Sequence, residues 1–249
     1  MSKKLLLDLG NSRLKWAVLD AAGRHDGEPV AHTHAGLGDL TAMRTAARGA
    51  QGAWISSTAH SLTQGLIDAV AQTLRCPTNV YASPKEDLGI RSAYDLPHTL
   101  GTDRFLAMAG VRAQRSGPFL LVDAGTAMTI DLVDEGGQHL GGLIVPGPAL
   151  MRDALHRGTA GIRTGEAPRL REFARSTDDA VWSGGCLACV ALVGHAWRHA
   201  AMGVGAEVEL LLTGGALPLL ETHLSLPHQR LANPVLDGLA LWARAAGGP

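Results

Sequence analysis

Residues 5–20 read LLLDLGNSRLKWAVLD, and the same pattern returns at residues 120–134 as LLVDAGTAMTIDLVD. Aligning Asp8 with Asp123 also aligns a glycine two residues later and a polar residue directly after it. Each copy is an apolar run that ends in Asp-x-Gly-polar and is followed by a second apolar run. Asp and Gly between two β-prone runs are typical of a hairpin. The repeat therefore predicts two halves that each open with a strand, a tight polar turn and a second strand.

In the remainder of the chain, apolar runs of strand length alternate with longer segments of helical periodicity. This alternation is typical of α/β proteins. Strands are predicted at residues 53–57, 141–147 and 207–212. Helices are predicted at residues 62–74, 105–115, 178–202 and 233–245. We therefore expect an α/β fold with one half at residues 1–117 and the other at residues 118–249, sharing a cleft. The final helix belongs to the second half unless it packs back on the first.

The bulk composition allows a hydrophobic core, since the chain has 249 residues, of which 46% are hydrophobic and 18% charged. The net charge of −1 argues against a nucleic-acid partner, because such binders usually carry a basic excess. The first apolar run stops at Asp8, so no secretory signal is expected. No run approaches the roughly 20 apolar residues of a membrane span. With three cysteines and no disulfide framework, we expect a cytoplasmic protein without a membrane partner.

Each Asp-x-Gly turn places a carboxylate, main-chain N–H groups and a hydroxyl or amide at one spot. Glycine lets the main chain approach a phosphate closely, and a carboxylate can hold Mg²⁺ beside phosphate oxygens. Lys15, seven residues after Asp8, is able to reach a terminal phosphate as a point charge. One such turn alone could equally be an ordinary hairpin. Two copies, with Thr213-Gly214-Gly215 after a late strand, favour a polyphosphate site.

Five segments in a fixed order carry a resemblance to a known family. They are residues 8–15 (DLGNSRLK), 101–104 (GTDR), 123–127 (DAGTA), 141–147 (GGLIVPG) and 213–215 (TGG). They resemble the type III pantothenate kinases, which include proteins called Bvg accessory factors, within the sugar kinase, Hsc70 and actin superfamily. The resemblance implies two duplicated ribonuclease H-like lobes with a nucleotide cleft between them. It also implies ATP-dependent phosphorylation of pantothenate to 4′-phosphopantothenate, the first step of coenzyme A biosynthesis.

The resemblance assigns ATP, with Mg²⁺, to the two glycine turns. The matching ATP-binding residues are Asp8, Leu9, Gly10, Asn11, Ser12, Arg13, Leu14, Lys15 and Thr126. Ser12 stands where the family often has Thr, and both residues carry a hydroxyl. Asp123 matches a site for a monovalent cation, potassium or ammonium. Residues 213–215 match a segment near the adenosine.

The GTDR segment matches the catalytic and substrate-binding part of the family. By resemblance, Asp103 is the general base that accepts the proton of pantothenate's primary hydroxyl during attack on the γ-phosphorus. The matching substrate-binding residues are Tyr94, Gly101, Thr102, Asp103, Arg104 and Thr177. The residues themselves leave other roles open, because Asp103 could be a helix N-cap, and Ser176 or Thr177 could cap the predicted helix that follows them. Arg104 could be a solvated residue of a first helical turn, and Tyr94 could simply cover a loop.

Two other functions remain as alternatives. One is a different phosphotransferase of the superfamily, such as a sugar or acetate kinase or a polyphosphate phosphatase; the GTDR segment favours pantothenate instead. The other is a transcriptional accessory factor of the same fold, although no helix-turn-helix signature supports direct DNA binding. The family resemblance also implies a homodimer.

The pair Cys186-x-x-Cys189 lies near His195 and His199 in a predicted helix. A zinc site would need a second Cys pair or histidines at matching spacing. These four residues spread over three turns of one helix, so they cannot converge on one ion. We therefore predict that the cysteines pack in the core.

Overall fold

The computed structural model describes residues 2–32, 36–58, 60–162 and 168–246. The chain divides into two compact units: Met1–Ser116 with Asn233–Pro249 forms unit 1, and Gly117–Ala232 forms unit 2. Each unit has its own mixed β-sheet and its own hydrophobic core. The segment that begins at Asn233 thus belongs with unit 1, whereas the division expected from the sequence assigned it to the second half unless the final helix packed back.

The sheet of unit 1 begins with the predicted hairpin. Its strands are β1 (Lys4–Leu9), β2 (Arg13–Asp20), β3 (Gly23–Asp26), β4 (Val30–Ala31), β5 (Ala53–Ser57) and β6 (Thr78–Val80). The order across the sheet is β3-β2-β1-β5-β6, and β4 also pairs with β2. The first three strands form an antiparallel meander, whereas β5 and β6 are parallel to their inner neighbours. The parallel connections contain helices α1 (Thr41–Ala46) and α2 (His60–Leu74), as such crossovers require.

The rest of the first 116 residues leads into a helix that carries predicted site residues. It contains a two-stranded ribbon of β7 (Glu86–Asp87) and β8 (Ile90–Arg91), a 3₁₀ turn at Pro97–Thr99, and α3 (Thr102–Arg112). Helix α3 begins three residues before the predicted start at Phe105. The reason is that Gly101, with φ −53° and ψ 133°, has the extended conformation of an N-cap. The helix therefore includes Asp103 in its first turn.

Unit 2 repeats the topology of unit 1. Its strands are β9 (Phe119–Ala124), β10 (Ala127–Val133), β11 (His139–Pro146), β12 (Glu209–Thr213) and β13 (Gln229–Arg230). The order is β11-β10-β9-β12-β13. Strands β9, β10 and β11 form an antiparallel meander, β12 is parallel to β9, and β13 is parallel to β12. Both units thus follow one plan, in which the first strand lies at the centre, between its hairpin partner and a parallel strand, β5 in unit 1 and β12 in unit 2. The predicted α/β fold with two duplicated ribonuclease H-like lobes is confirmed.

The helices of unit 2 are α4 (Pro148–Gly158), α5 (Thr177–Val204) and α6 (Leu217–Glu221). By length and composition alone, α5 is able to cross a membrane, which the sequence did not predict. A core helix of a soluble protein passes the same test. Cys186, Cys189 and Val193 of α5 lie in the hydrophobic core of unit 2, so packing against the sheet accounts for part of its apolar character.

The last helix, α7 (Pro234–Ala245), packs on α3 within unit 1. Two glycines allow this close approach. A Cβ at Gly110 of α3 would collide with the carbonyl oxygen of Pro234, and one at Gly238 of α7 would collide with that of Leu106. The two helix backbones therefore touch where neither has a side chain.

Candidate active site

The first Asp-x-Gly turn lies between β1 and β2. The N–H of Gly10 donates to the carbonyl oxygen of Arg13 at 3.1 Å and closes the turn. Asp8 and Lys15 are directly opposite in the hairpin register, so their side chains share one face of the sheet. The two polar residues at the tip are exposed. A carboxylate and an ammonium thus lie on one face beside an open polar turn, which is an arrangement suited to a phosphate with a divalent cation.

Not every side chain of residues 8–15 is available to a ligand. Leu9 and Leu14 are 0% exposed and belong to the hydrophobic core of unit 1. They can therefore offer only main-chain atoms to a nucleotide. Asp8 is 6% exposed, whereas Asn11 and Ser12 are exposed.

One further residue, His32, contacts this turn and is absent from the sequence prediction. Its N–H donates to the carbonyl oxygen of Ser12 at 3.1 Å, and its ring Nε2 lies 2.8 Å from the carbonyl oxygen of Gly10. A carbonyl only accepts, so Nε2 carries the hydrogen. A single histidine after a two-residue strand matches no motif, which is why the sequence gives no signal for it.

The end of β5 connects the first turn with the start of α3. Ser56 of β5 is in register with Asp8 of the parallel strand β1. The hydroxyl of Thr102 donates to the carbonyl oxygen of Ser57 at 3.3 Å, and it lies 3.2 Å from the hydroxyl oxygen of Ser56. A hydroxyl has one hydrogen, so Ser56 donates to Thr102. These bonds fix the first turn of α3 beside the Asp8 end of the sheet.

Asp103 lies in the first turn of α3 and does not cap it. The N-cap is Gly101, and no side chain caps this helix. Asp103 Oδ1 accepts from the N–H of Arg104 at 2.7 Å. The interpretation of Asp103 as an N-cap is therefore wrong. The positive end of the helix dipole favours a carboxylate at this position.

Arg104 and Tyr94 form a pair next to Asp103. Arg104 is only 6% exposed, so the interpretation of a solvated residue is wrong. Its Nη1 donates to the hydroxyl of Tyr94 at 2.9 Å, and its guanidinium carbon lies 5.7 Å from the centroid of that ring. Tyr94 thus orients the guanidinium in addition to any cover it gives to its loop.

The second Asp-x-Gly turn lies between β9 and β10 in unit 2. The N–H of Gly125 closes the turn by donating to the carbonyl two residues later, at 3.1 Å. The N–H of Gly147, after β11, donates to the carbonyl oxygen of Thr126 at 2.9 Å. Asp123 is in register with Thr213 at the end of the parallel strand β12. The structure therefore brings the DAGTA turn, Gly147 at the end of the GGLIVPG segment, and the TGG segment to one end of this sheet.

The TGG segment approaches the second turn very closely. Gly214 has φ +102°, and a Cβ on it would collide with the carboxylate of Asp123 and the carbonyl of Ala124. The N–H of Ala216 donates to that same carbonyl at 2.8 Å. The Asp123 carboxylate and the Ala124 carbonyl thus both lie beside Gly214, and such hard oxygen donors suit alkali and alkaline-earth cations.

Thr177 is the first residue of α5 and is exposed. The N-cap is its neighbour Ser176, whose Oγ accepts from the N–H of Asp179 at 3.2 Å. Ser176 therefore caps the helix, and Thr177 has no capping role. Thr177 belongs to unit 2, like Asp123 and Thr126, whereas the remaining predicted site residues belong to unit 1.

The cysteine and histidine pairs of α5 do not form a metal site. Cys186 and Cys189 are buried, and burial raises the pKa of the Cys186 thiol to about 11. His195 and His199 are exposed, with ring centroids 4.1 Å apart. Within the described ranges, no group of three or more metal-binding side chains comes together.

A family model described as type III pantothenate kinase matches residues 4–199. The type III pantothenate kinase of Xanthomonas campestris pv. campestris (strain B100) is 40% identical over 248 residues, covering 98% of each chain. That of Azoarcus sp. (strain BH72) is 39% identical over 245 residues, covering 97% of this chain and 90% of the relative.

Solved structures share the fold at low identity. A conserved protein of Campylobacter jejuni, described as a Baf family transcriptional activator, gives a TM-score of 0.57 at 19% identity and covers 96% of both chains. MreB5 of Spiroplasma citri bound to ADP gives a TM-score of 0.50 at 11% identity, covering 99% of this chain and 97% of that one. At these identities the likeness shows the shared fold alone.

Proposed function

The chain belongs to the type III pantothenate kinase family, and we propose that the turn between β1 and β2 and the first turn of α3 perform its reaction. The enzyme transfers the γ-phosphoryl group of ATP to pantothenate and yields 4′-phosphopantothenate, the first step of coenzyme A biosynthesis. The observation that carries the assignment of residues is that both turns lie at one end of the same sheet, linked by Ser56 and Thr102. The names of the curated relatives favour this activity over another superfamily kinase or an accessory factor.

Residues 8–15 bind the phosphates of ATP. The main chain at Gly10 approaches them closely, Lys15 offers a point charge, and Leu9 and Leu14 take part through main-chain atoms alone. Asp8 holds Mg²⁺ directly or through water, and a buried carboxylate beside exposed polar residues fits that ion's preference. Bound Mg²⁺ supplies neutralisation of charge on the phosphate oxygens.

Asp103 accepts the proton of pantothenate's primary hydroxyl as the oxygen attacks the γ-phosphorus. Arg104 and Tyr94 bind pantothenate, because a guanidinium can pair with its carboxylate through two hydrogen bonds. Gly101 and Thr102 add contacts from the start of α3. The transition state is largely dissociative, so the positions of these groups matter more than the basicity of the carboxylate.

The other three predicted site residues lie in unit 2. Asp123 binds potassium or ammonium, a proposal supported by its oxygen donors and by the glycine, Gly214, that passes close over its carboxylate. Thr126 contacts ATP, and Thr177, which caps no helix, contacts pantothenate.

The protein acts as a cytoplasmic homodimer. Its three cysteines are free, as is usual in a reducing compartment. The edge strand β11 exposes Leu140, Leu143 and Ile144, apolar side chains along one edge of the sheet that a second copy would cover. Sedimentation equilibrium should give twice the chain mass of 26.0 kDa, and a monomer would contradict this part of the proposal.

The test is ADP release by the purified protein with Mg-ATP, with and without pantothenate, in potassium and in sodium buffer. We expect turnover that requires pantothenate and that potassium or ammonium strengthens. ADP release that does not depend on pantothenate would contradict the assignment, and so would the absence of ADP release from a folded protein. Turnover that ignores the monovalent cation would remove the role of Asp123 alone.

A further inference from the structure

His32 follows β4 directly and contacts the turn between β1 and β2 twice. Strand β4 pairs antiparallel with the start of β2, with Ala31 opposite Arg13. This pairing carries His32 to the turn, where its N–H donates to the Ser12 carbonyl at 3.1 Å and its Nε2 donates to the Gly10 carbonyl at 2.8 Å. A single residue therefore holds two of the three carbonyl groups between β1 and β2.

The contact with Gly10 matters because a peptide unit is planar. The Gly10 carbonyl and the Asn11 N–H belong to one trans peptide and point in opposite directions. Glycine has no Cβ to restrict rotation of the peptide that follows it. The imidazole therefore fixes the direction of an N–H at the exposed tip, on the side away from His32.

The ring of His32 hydrogen-bonds to this turn through the Gly10 carbonyl. Its Nδ1 is buried and makes no hydrogen bond to any residue that the structure describes. Among the residues that the structure describes, the Gly10 carbonyl is thus the hydrogen-bond partner that accounts for the position of the imidazole.

We propose that His32 is a positioning residue for ATP: by fixing the Gly10–Asn11 peptide, it orients the Asn11 N–H toward the phosphates without touching the nucleotide. An N–H donor that is already oriented reduces the conformational entropy that the loop loses when a phosphate binds. The inference rests on the proposed role of residues 8–15 as the phosphate site.

Three substitutions of His32 test the Nε2 contact by steady-state kinetics. His32→Ala keeps the main-chain bond to Ser12 but removes the ring, so KM for ATP should rise about tenfold, as expected for one lost orienting hydrogen bond. KM for pantothenate should stay unchanged. The amide nitrogen of His32→Gln reaches about as far as Nε2 and should restore most of the ATP affinity. The shorter amide of His32→Asn reaches only the position of Nδ1 and should not restore it.

His25→Ala is the matched control, because His25 lies on the neighbouring strand β3 with an exposed ring and should keep the wild-type KM. A KM for ATP within twofold of wild type in His32→Ala would overturn the proposal. Equal behaviour of the Gln and Asn variants would overturn it too. So would a rise in both KM values together with a lower thermal midpoint, since that pattern marks a merely structural role.

Lys15→Ala separates failure of this inference from failure of the proposed function. If Lys15→Ala raises KM for ATP and His32→Ala does not, only the role of His32 is overturned. If neither variant changes KM for ATP, residues 8–15 are not the phosphate site, and both proposals fail.

Discussion

Gly214 adopts φ +102°, a conformation that residues with a Cβ rarely take. A Cβ there would also collide with the carboxylate of Asp123. The glycine therefore lets the end of β12 pass directly over that carboxylate. At the scale of single residues, this part of the site is built by the close approach of the main chain at Gly214 to Asp123 and Ala124.

Asp123→Asn keeps the size of the side chain and removes its charge. The neutral amide binds a cation more weakly than the carboxylate does. We therefore expect the potassium concentration needed for half-maximal activation to rise about tenfold, with the fold intact. The measurement is the rate of ADP release against potassium concentration. Glu135→Gln, at an exposed position in the β10–β11 turn, should respond like wild type. An unchanged potassium response in Asp123→Asn would place the cation elsewhere.

Asp103→Asn removes the proton acceptor while keeping the shape of the side chain. General bases contribute about 10²-fold or more, so kcat should fall by about that factor while KM for pantothenate changes little. Discontinuous assays of product formation at several pantothenate concentrations measure kcat and KM. Asp95→Asn, an exposed carboxylate in the preceding loop, should keep the wild-type rate. Near wild-type turnover by Asp103→Asn would exclude Asp103 as the base.

At the scale of elements, the start of α3 is held by β5 and not by a side-chain cap. Gly101 provides the N-cap conformation, and the hydroxyl of Thr102 links the helix to Ser56 and Ser57. The position of Asp103 therefore depends on a bond to the strand that neighbours Asp8.

Ser56→Ala and Ser57→Ala form a matched pair for this link. The Ser57 hydroxyl bonds to Thr63 of α2 at 2.7 Å, and its substitution leaves the carbonyl that Thr102 uses. Each variant should lose about 1 kcal/mol of the free energy of unfolding, measured by urea denaturation. Only Ser56→Ala should also lower kcat, by about three- to tenfold, because it loosens α3. Equal kcat values would show that the bond does not position the helix.

Gly238→Ala tests the contact between α3 and α7. The new Cβ would collide with the main chain at Leu106, so the free energy of unfolding should fall by about 1–3 kcal/mol. Gly65→Ala in α2 is the control, because a Cβ there meets nothing within 4 Å. It should stabilise unit 1 by about 0.5–1 kcal/mol, since alanine favours a helix over glycine. Equal effects in urea denaturation would mean that the helices do not need this close contact.

At the scale of the whole molecule, the sequence predicts the duplication because both hairpins keep the same Asp-x-Gly spacing. The structure extends that likeness to the strand order of both sheets. Helix ends were less predictable. The start of α3 differs by three residues because glycine, without a polar side chain, is its N-cap. At α5 the sequence leaves Ser176 or Thr177 as the cap, and the structure shows that it is Ser176.

Contacts between distant parts of the chain leave no local pattern, so the sequence could not predict them. The buried ammonium of Lys4 donates to the carbonyl oxygen of Ala243 and lies 4.7 Å from the centroid of the Trp54 ring. This contact attaches α7 to the sheet of unit 1. The bonds of His32 and Ser56 to the site are of the same kind, since each depends on strand pairing and not on neighbours in sequence.

The most direct test of the central claim is ³¹P NMR of the reaction of the purified protein with Mg-ATP, potassium and pantothenate. We predict a new phosphomonoester resonance of 4′-phosphopantothenate, equal in amount to the ADP formed and absent without pantothenate. ADP accompanied only by inorganic phosphate, or no product from the folded protein, would contradict the claim that this site phosphorylates pantothenate.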